Sequence, residues 1–191
     1  MKRAFTSFGL VALTLAAWAF TADVSFGGEP NHPTITRLGG GSNASSFDRY
    51  TRYRLAKSRL RQGVLSYAQG KLGKQDGNGE CWTLVDDALR SAGADTSGDG
   101  KYVFGNTVSL SALQPGDLLQ FEGVKFEHHS ADGSWSSSSY PHHSAIVESV
   151  SGRTITLLNQ NVNGNRTVQR STINLDDQKG GTITAFEPKL K

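Results

Sequence analysis

Apolar and polar positions change their rhythm once along this chain. From Arg49 to about Lys71, the residues Tyr53, Leu60, Val64, Leu65 and Ala68 approximate one helical face, interrupted by Gly63. A cleaner helix follows, in which Cys81, Leu84, Val85, Ala88, Leu89 and Ala92 recur on a single stripe and Gly93 supplies the stop. Beyond Gly93 the texture changes. A Pro-Gly turn in LQPGDLLQFEGV leads into a short apolar run from Leu118 to Phe121, and HHSAIVESV, RTITLLNQN and GTITAFEP follow as segments rich in Val, Ile and Thr. Helices first and strands later predict an α+β fold, with N-terminal helices packed on a C-terminal antiparallel sheet. Between the first two strands, KFEHHSADGSWSSSSYPHH is too polar and too rich in Ser for a strand, and reads as a long loop near the site.

At the N-terminus, Lys2 and Arg3 precede an apolar run from Phe8 to Phe20 that ends in small residues. This is the layout of a secretory signal cut near Ala19, with an uncleaved anchor as the alternative. No other segment is apolar enough to span a bilayer, so no stable membrane insertion is expected after signal removal. Residues 27–47 mix Gly, Pro, Ser and Asn with little apolar content, as a flexible tether does. The expected organisation is a signal over 1–19, a linker over 20–47 and one folded domain over 48–191, secreted or periplasmic and monomeric. The formal charge of +3 includes the two signal cations, which leaves the mature chain near neutral and makes nucleic acid a poor partner. Basic residues do cluster in RYTRYRLAKSRLRQG, as Arg49, Arg52, Arg54, Lys57, Arg59 and Arg61. That run is either a solvated helix face or a surface attracted to an anionic polymer or membrane.

Cys81 is the one cysteine, so it cannot form an internal bridge; its thiol is an intermolecular partner, inert packing or a nucleophile. A thiolate is the nucleophilic form, and the unshielded N–H groups and dipole of a helix N-terminus lower a thiol's pKa from its free value of about 8.5. Cys81 opens the second predicted helix. Gly77-Asn78-Gly79 before it lets the backbone approach a bound carbonyl, and the Cys81 N–H can donate to an oxyanion there. The same position suits a packing cysteine equally. His143 opens the strand HSAIV, where a period of two places Ala145 and Val147 on its face. The ring is therefore expected to project from the side that packs on the Cys81 helix, as a base, or else to be a half-exposed histidine at a strand end. In TITLLNQNV the same period aligns Ile155, Leu157, Asn159 and Asn161. An amide oxygen at Asn159 can accept the second imidazole N–H and turn the other nitrogen toward the thiol. Read without that role, NQNVNGN is a strand running into an Asn-Gly turn.

The order GNGECWTLVDDAL, LQPGDLLQFEG, HHSAIVESV, TLLNQNVNG resembles the CHAP group of cysteine, histidine-dependent amidohydrolases and peptidases, relatives of the NlpC-type papain-like wall hydrolases. The likeness runs from about Gly63 to Pro188. It implies a papain-like fold with Cys81 as nucleophile, His143 as base, Asn159 as the group that orients it and Asn161 as a supporting amide. It also implies hydrolysis of an amide or peptide bond in bacterial peptidoglycan, through an acyl-enzyme thioester; with the N-terminal signal the expectation is an exported enzyme acting on peptidoglycan or a peptide, and no cofactor is expected. Two features depart from the pattern. Glu80 directly precedes the nucleophile, where a carboxylate opposes thiolate formation unless it points away. The doubled His142-His143 leaves two candidate bases, of which His143 has the matching distance to Ala145-Ile146-Val147. Glu80 also motivates an alternative, a non-catalytic cell-wall-binding or interaction module of the same fold.

Other chemistry is weaker. His128-His129 and His142-His143 flank a polar loop, but no nearby Cys or metalloprotease-type helix completes a defined metal site. DTSGDGKYVFGN begins like a calcium loop, with Asp95, Ser97, Asp99 and Gly100 in place, but carries Asn106 where a bidentate Glu belongs; the resemblance implies a second calcium position, which some CHAP members hold just before the nucleophile, where Asp76 and Asn78 lie. An Asp-Gly turn explains the first motif as well. Of the tryptophans, Trp82 suits packing and Trp135 a substrate groove.

Overall fold

A computed structural model describes residues 43–191, apart from Asp99, with side chains from Ser45 onward. The expected signal and most of the expected linker lie outside the described residues. Among the described residues, no helix is long and apolar enough to cross a membrane.

Two helices and six strands follow in the order α1 (Asn43–Gly70), α2 (Cys81–Ala92), β1 (Asn106–Val108), β2 (Leu118–His129), β3 (Trp135–Ser151), β4 (Thr154–Asn159), β5 (Gln169–Asn174) and β6 (Gln178–Glu187). Helix α1 begins inside the stretch read as a tether and runs through Gly63 without a break. The reason for that glycine is packing: a Cβ there would stand 3.0 Å from the Cβ of Ala92, so its absence lets α1 lie close against α2. Gly93 ends α2 in a left-handed conformation, and the Gly93 and Ala94 amides donate back to the Arg90 and Leu89 carbonyls.

The strands form one antiparallel sheet in the order β1-β6-β2-β3-β4-β5. This is the α+β, papain-like arrangement of helices on a sheet. One side of the sheet packs on the helices through Leu118, Ile146, Leu158 and Phe186, against Leu60, Val64, Leu84, Val85 and Ala88. The other side holds a second core of Leu119, Phe121, Val124, Phe126, Tyr140, Ala145, Val147, Ile155 and Leu157. The sheet curls around that second core until His128, at the tip of β2, meets Asp177 in the turn after β5 at 3.0 Å.

The segment read as a long loop is instead the outer half of a hairpin. Lys125 pairs with Ser139, Glu127 with Ser137 and His129 with Trp135, leaving only a short turn at the tip. Serines are tolerated here because Ser136–Ser139 face solvent, while Val124, Phe126 and Tyr140 supply the buried rows. The hairpin kinks at Gly123, which has φ +61°, against Gly181 of β6, which has φ +77°. A Cβ on Gly181 would fall 2.4 Å from the Gly123 backbone, so only glycine permits that crossing. Across the kink the side-chain alternation slips: Phe121 and Val124, three apart, both enter the second core.

Candidate active site

Cys81 is the first residue of α2 and is buried, with its thiol unpaired. Its approach loop is tightly specified. The side-chain oxygen of Asn78 accepts from the Glu80 amide at 3.0 Å and the Thr83 hydroxyl at 2.6 Å, which ties the loop to the first turn of α2. Gly77 has φ +48°, and a Cβ on it would collide with Thr83 at 2.3 Å. Gln160, one residue past β4 and fully buried, ties this loop to the sheet. It accepts from the Asp76 amide at 3.0 Å and donates to the carbonyls of Asp76 at 3.1 Å and Glu80 at 2.8 Å. Sequence reasoning passed over Gln160; the available signal was a polar residue in the row of Leu158, which faces the helices.

The carboxylate beside the thiol is held by two partners. Arg166 pairs with Glu80 at 3.0 Å, and Asn161 Nδ2 donates to its other oxygen at 2.8 Å. Asn161 does not continue the Asn159 face as the alternation predicts. Strand β4 ends at Asn159, and Asn161 takes a left-handed turn with φ +60°, which redirects its side chain to Glu80.

His143 is 5% exposed, with its ring 5.2 Å from Tyr140 and 6.1 Å from Phe121, centroid to centroid. It thus belongs to the second core, with Ala145 and Val147, and not to the side of the sheet that carries α2. That reverses the expected facing. Ser144 through Val147 are all buried, so a period of two separates the faces of β3 but cannot tell which one meets the helices. Burial lowers the His143 pKa from 6.5 to about 4; nearby Asn159 opposes this and the charge of His142 adds to it. The ring is therefore neutral over the physiological range. Asn159 Nδ2 donates to the Ser171 hydroxyl at 2.7 Å. Although the carboxamide stands close enough to favour the protonated ring, the contact is not closed. His143 Nε2 and Asn159 Oδ1 are both buried with no partner in hydrogen-bond geometry, sulfur included.

His142, the second candidate base, is exposed; it stacks 3.9 Å from the Tyr102 ring and accepts from Gln120 Nε2 at 3.0 Å. An open groove of about 700 Å³ has both histidines on its wall, together with Trp135, Tyr140, Asn161 and Asn163. Cys81 is not among the groove residues. Trp135 is 66% exposed, while Trp82 packs against the core shared with the helices.

The side chains of the weaker metal candidates make other contacts. Asp95 accepts from the Ser97 amide and hydroxyl at 2.9 and 2.6 Å, which pulls its carboxyl below the usual range, and His128 bonds to Asp177. Among the described residues, no three His, Cys, Asp or Glu side chains come together as a metal site. Asp76 is buried, receiving the Tyr67 hydroxyl at 3.0 Å and Lys71 at 2.7 Å on one oxygen.

A cysteine at the tip of a helix laid on a curled antiparallel sheet defines a protein of papain-like fold. Residues 51–188 match the AIM3/BBC1 Cysteine proteinase-fold domain, and the chain belongs to that family. It is 26% identical over 156 residues to Altered inheritance of mitochondria protein 3 of Debaryomyces hansenii; the match takes in 69% of this chain and 16% of that protein. Among solved structures it is similar to the crystal structure of Ly7917, alone and with the hydrolyzing product of MDP, at 18% and 19% identity. Both have a TM-score of 0.45, covering 67% of this chain and 62% of theirs.

The family and the yeast relative overturn the expectation of a bacterial peptidoglycan amidase, and with it the cell-wall-binding alternative. The four motifs behind that expectation are a helix-start Cys, a Pro-Gly turn into a strand, a strand His, which lies within β3 and not at its start, and an amide at a strand end. They belong to the scaffold and carry no information on the substrate.

Proposed function

We propose that this domain is a cysteine hydrolase acting on polypeptide amide bonds, with Cys81 as nucleophile, His143 as base and Asn159 as the residue that orients the ring. The observation that carries this reading is the unsatisfied pair of His143 Nε2 and Asn159 Oδ1. A buried ring N–H and a buried amide oxygen are complementary, and Ser171 holds the other end of the carboxamide. Closing that contact places the proton on Nε2 and leaves Nδ1 as the basic nitrogen. The ring is neutral, as a general base must be, but burial lowers its affinity for a proton, and closing the Asn159 contact has to restore it.

In the proposed reaction the thiol proton passes to His143, and the sulfur attacks the substrate carbonyl carbon. The Cys81 N–H helps to hold the oxyanion. The C–N bond then breaks as His143 returns the proton to the departing amine. Water, deprotonated by the same ring, cleaves the thioester and regenerates the thiol. Substrate entry has to bring sulfur and ring together, since catalytic hydrogen bonds commonly tighten only on binding. Within this class, the CHAP-like motif order is the finer assignment we favour. Export belongs to the same proposal, and N-terminal sequencing of the mature chain tests it.

The test is hydrolysis of a fluorogenic peptide library by the full chain, beside Cys81→Ala and His143→Gln. Turnover is expected in the wild type and is lost in both variants. Equal turnover in Cys81→Ala would remove the nucleophile from this account. A second reading, a papain-like interaction domain with an inert thiol, is favoured by the buried sulfur and by a His143 ring whose Nε2 has no hydrogen-bond partner to orient it. Alkylation by iodoacetamide separates the two. The hydrolase labels faster than free cysteine at neutral pH and slows on His143→Gln, whereas the inert thiol labels slowly in both.

A further inference from the structure

Helix α1 reaches the core only at Leu60. Over residues 45–59, about 22 Å of helix, no side chain is buried. Yet this length carries Phe47, Tyr50, Tyr53 and Leu55, which are 73%, 59%, 51% and 52% exposed. Phe47, Tyr50 and Tyr53 recur three apart along one side of the helix. That side leads into the stripe of Leu60 and Val64, which the domain does bury. A helix draws most of its stability from the packing of such a stripe, and a bare aromatic row marks a surface that another surface covers.

Charge narrows what covers it. Arg49, Arg52, Arg54, Lys57 and Arg59 are accompanied here by one acid, Asp48. Arg52 pairs with Asp48 and Lys57 with Glu187, whereas Arg49, Arg54 and Arg59 meet no carboxylate among the described residues. The cations also lie within the aromatic row: the Arg54 guanidinium is 5.8 Å from the Tyr50 ring centroid, and the Lys57 ammonium 5.3 Å from that of Tyr53. Sinking this row into acyl chains would bury those charges, because a membrane-surface helix keeps its cations on the opposite face. A polypeptide that offers carboxylates between apolar side chains satisfies both features at once. We propose that residues 45–59 form a docking surface for an acidic polypeptide segment studded with apolar residues. This surface is separate from the thiol site and stands or falls independently of it.

The test uses the full chain and a fluorescein-labelled synthetic peptide of repeated Glu-Leu-Glu-Phe units, followed by anisotropy. The acidic peptide binds, and its counterpart with Lys in place of Glu does not. Arg49→Gln with Arg54→Gln, and separately Phe47→Ser with Tyr50→Ser, each weaken binding by about tenfold or more. Neither pair touches the core, so circular dichroism and thermal midpoint stay at wild-type values, which keeps the loss attributable to the surface. Failure of the acidic peptide to bind, or equal binding by both variants, overturns the proposal. So does tighter binding to phosphatidylserine vesicles or to a single-stranded oligonucleotide than to the acidic peptide.

Discussion

At the scale of single residues, the neutral state of His143 has a consequence for stability. Its folded-state pKa of about 4 lies below the ordinary 6.5. Between those values the unfolded chain binds a proton that the folded chain refuses, so the stability of the fold rises with pH across that window. The contribution is fully present above about pH 6.5 and is lost as the pH falls toward 4, with a magnitude on the order of 3 kcal/mol. His143→Gln carries no titrating ring. Urea midpoints at pH 4 and pH 7 are therefore expected to lie closer together in that variant than in the wild type; an unchanged gap would mean that the ring is not buried and neutral. Glu80 makes a second residue-level prediction. Arg166 and Asn161 now hold its carboxylate, so Arg166→Ala frees a negative charge next to Cys81 and is expected to slow alkylation of the thiol severalfold at neutral pH. Faster or equal labelling would show that Glu80 has no influence on the sulfur.

At the scale of elements, the sheet's bend depends on Gly181. A Cβ there meets the Gly123 backbone at 2.4 Å, and the residue sits at φ +77°, so Gly181→Ala carries both a clash and a backbone penalty. A loss of about 2–3 kcal/mol is expected. Gly152→Ala serves as the control, because Gly152 has a similar φ of +58° but open space around it, and its loss should be smaller by the cost of the clash. Equal losses in urea melts would assign the whole effect to backbone strain.

That bend also marks where sequence reading stopped working. Helix α2 was legible because its stripe from Cys81 to Ala92 is uninterrupted and ends at a glycine, and β4 because Ile, Leu and Thr dominate TITLLN. The hairpin was not legible. Its exposed serines carry no apolar alternation, and the glycine kink shifts the parity between Val124 and Phe121. At the candidate site, the helix tip at Cys81 follows from local pattern, whereas His143 does not open a strand as expected but lies in the middle of β3, because the serine-rich stretch before it is paired as well. The clamps made by Gln160 and Arg166 join residues about eighty apart, and no local window contains both partners.

At the scale of the whole molecule, α1 is two objects in one helix. Its C-terminal half is part of the core, its N-terminal half stands in solvent, and a cluster of ion pairs fastens it to the sheet at the point where they meet. Arg61 bonds to Asp117 at 2.6 Å and to Glu187 at 3.0 Å, and Lys57 also pairs with Glu187. The Asp117 side chain is fully buried, and burial raises its pKa even though Arg61 and the Gln114 amide oppose the shift. Arg61→Ala would leave that carboxylate in the interior without its cation, a loss of about 3 kcal/mol by analogy with broken buried pairs. Replacing both partners together, Arg61→Met with Asp117→Leu, removes the stranded charge and is expected to recover much of the loss. Native-state hydrogen exchange can then locate the damage. In the wild type, amides from Leu60 to Ala68 exchange only with global unfolding and those from 46 to 58 through local opening, because only the first group is tied to the core. In Arg61→Ala the boundary should move toward the C-terminus of the helix, whereas a uniform drop along α1 would mean that the cluster stabilises the domain without anchoring this helix.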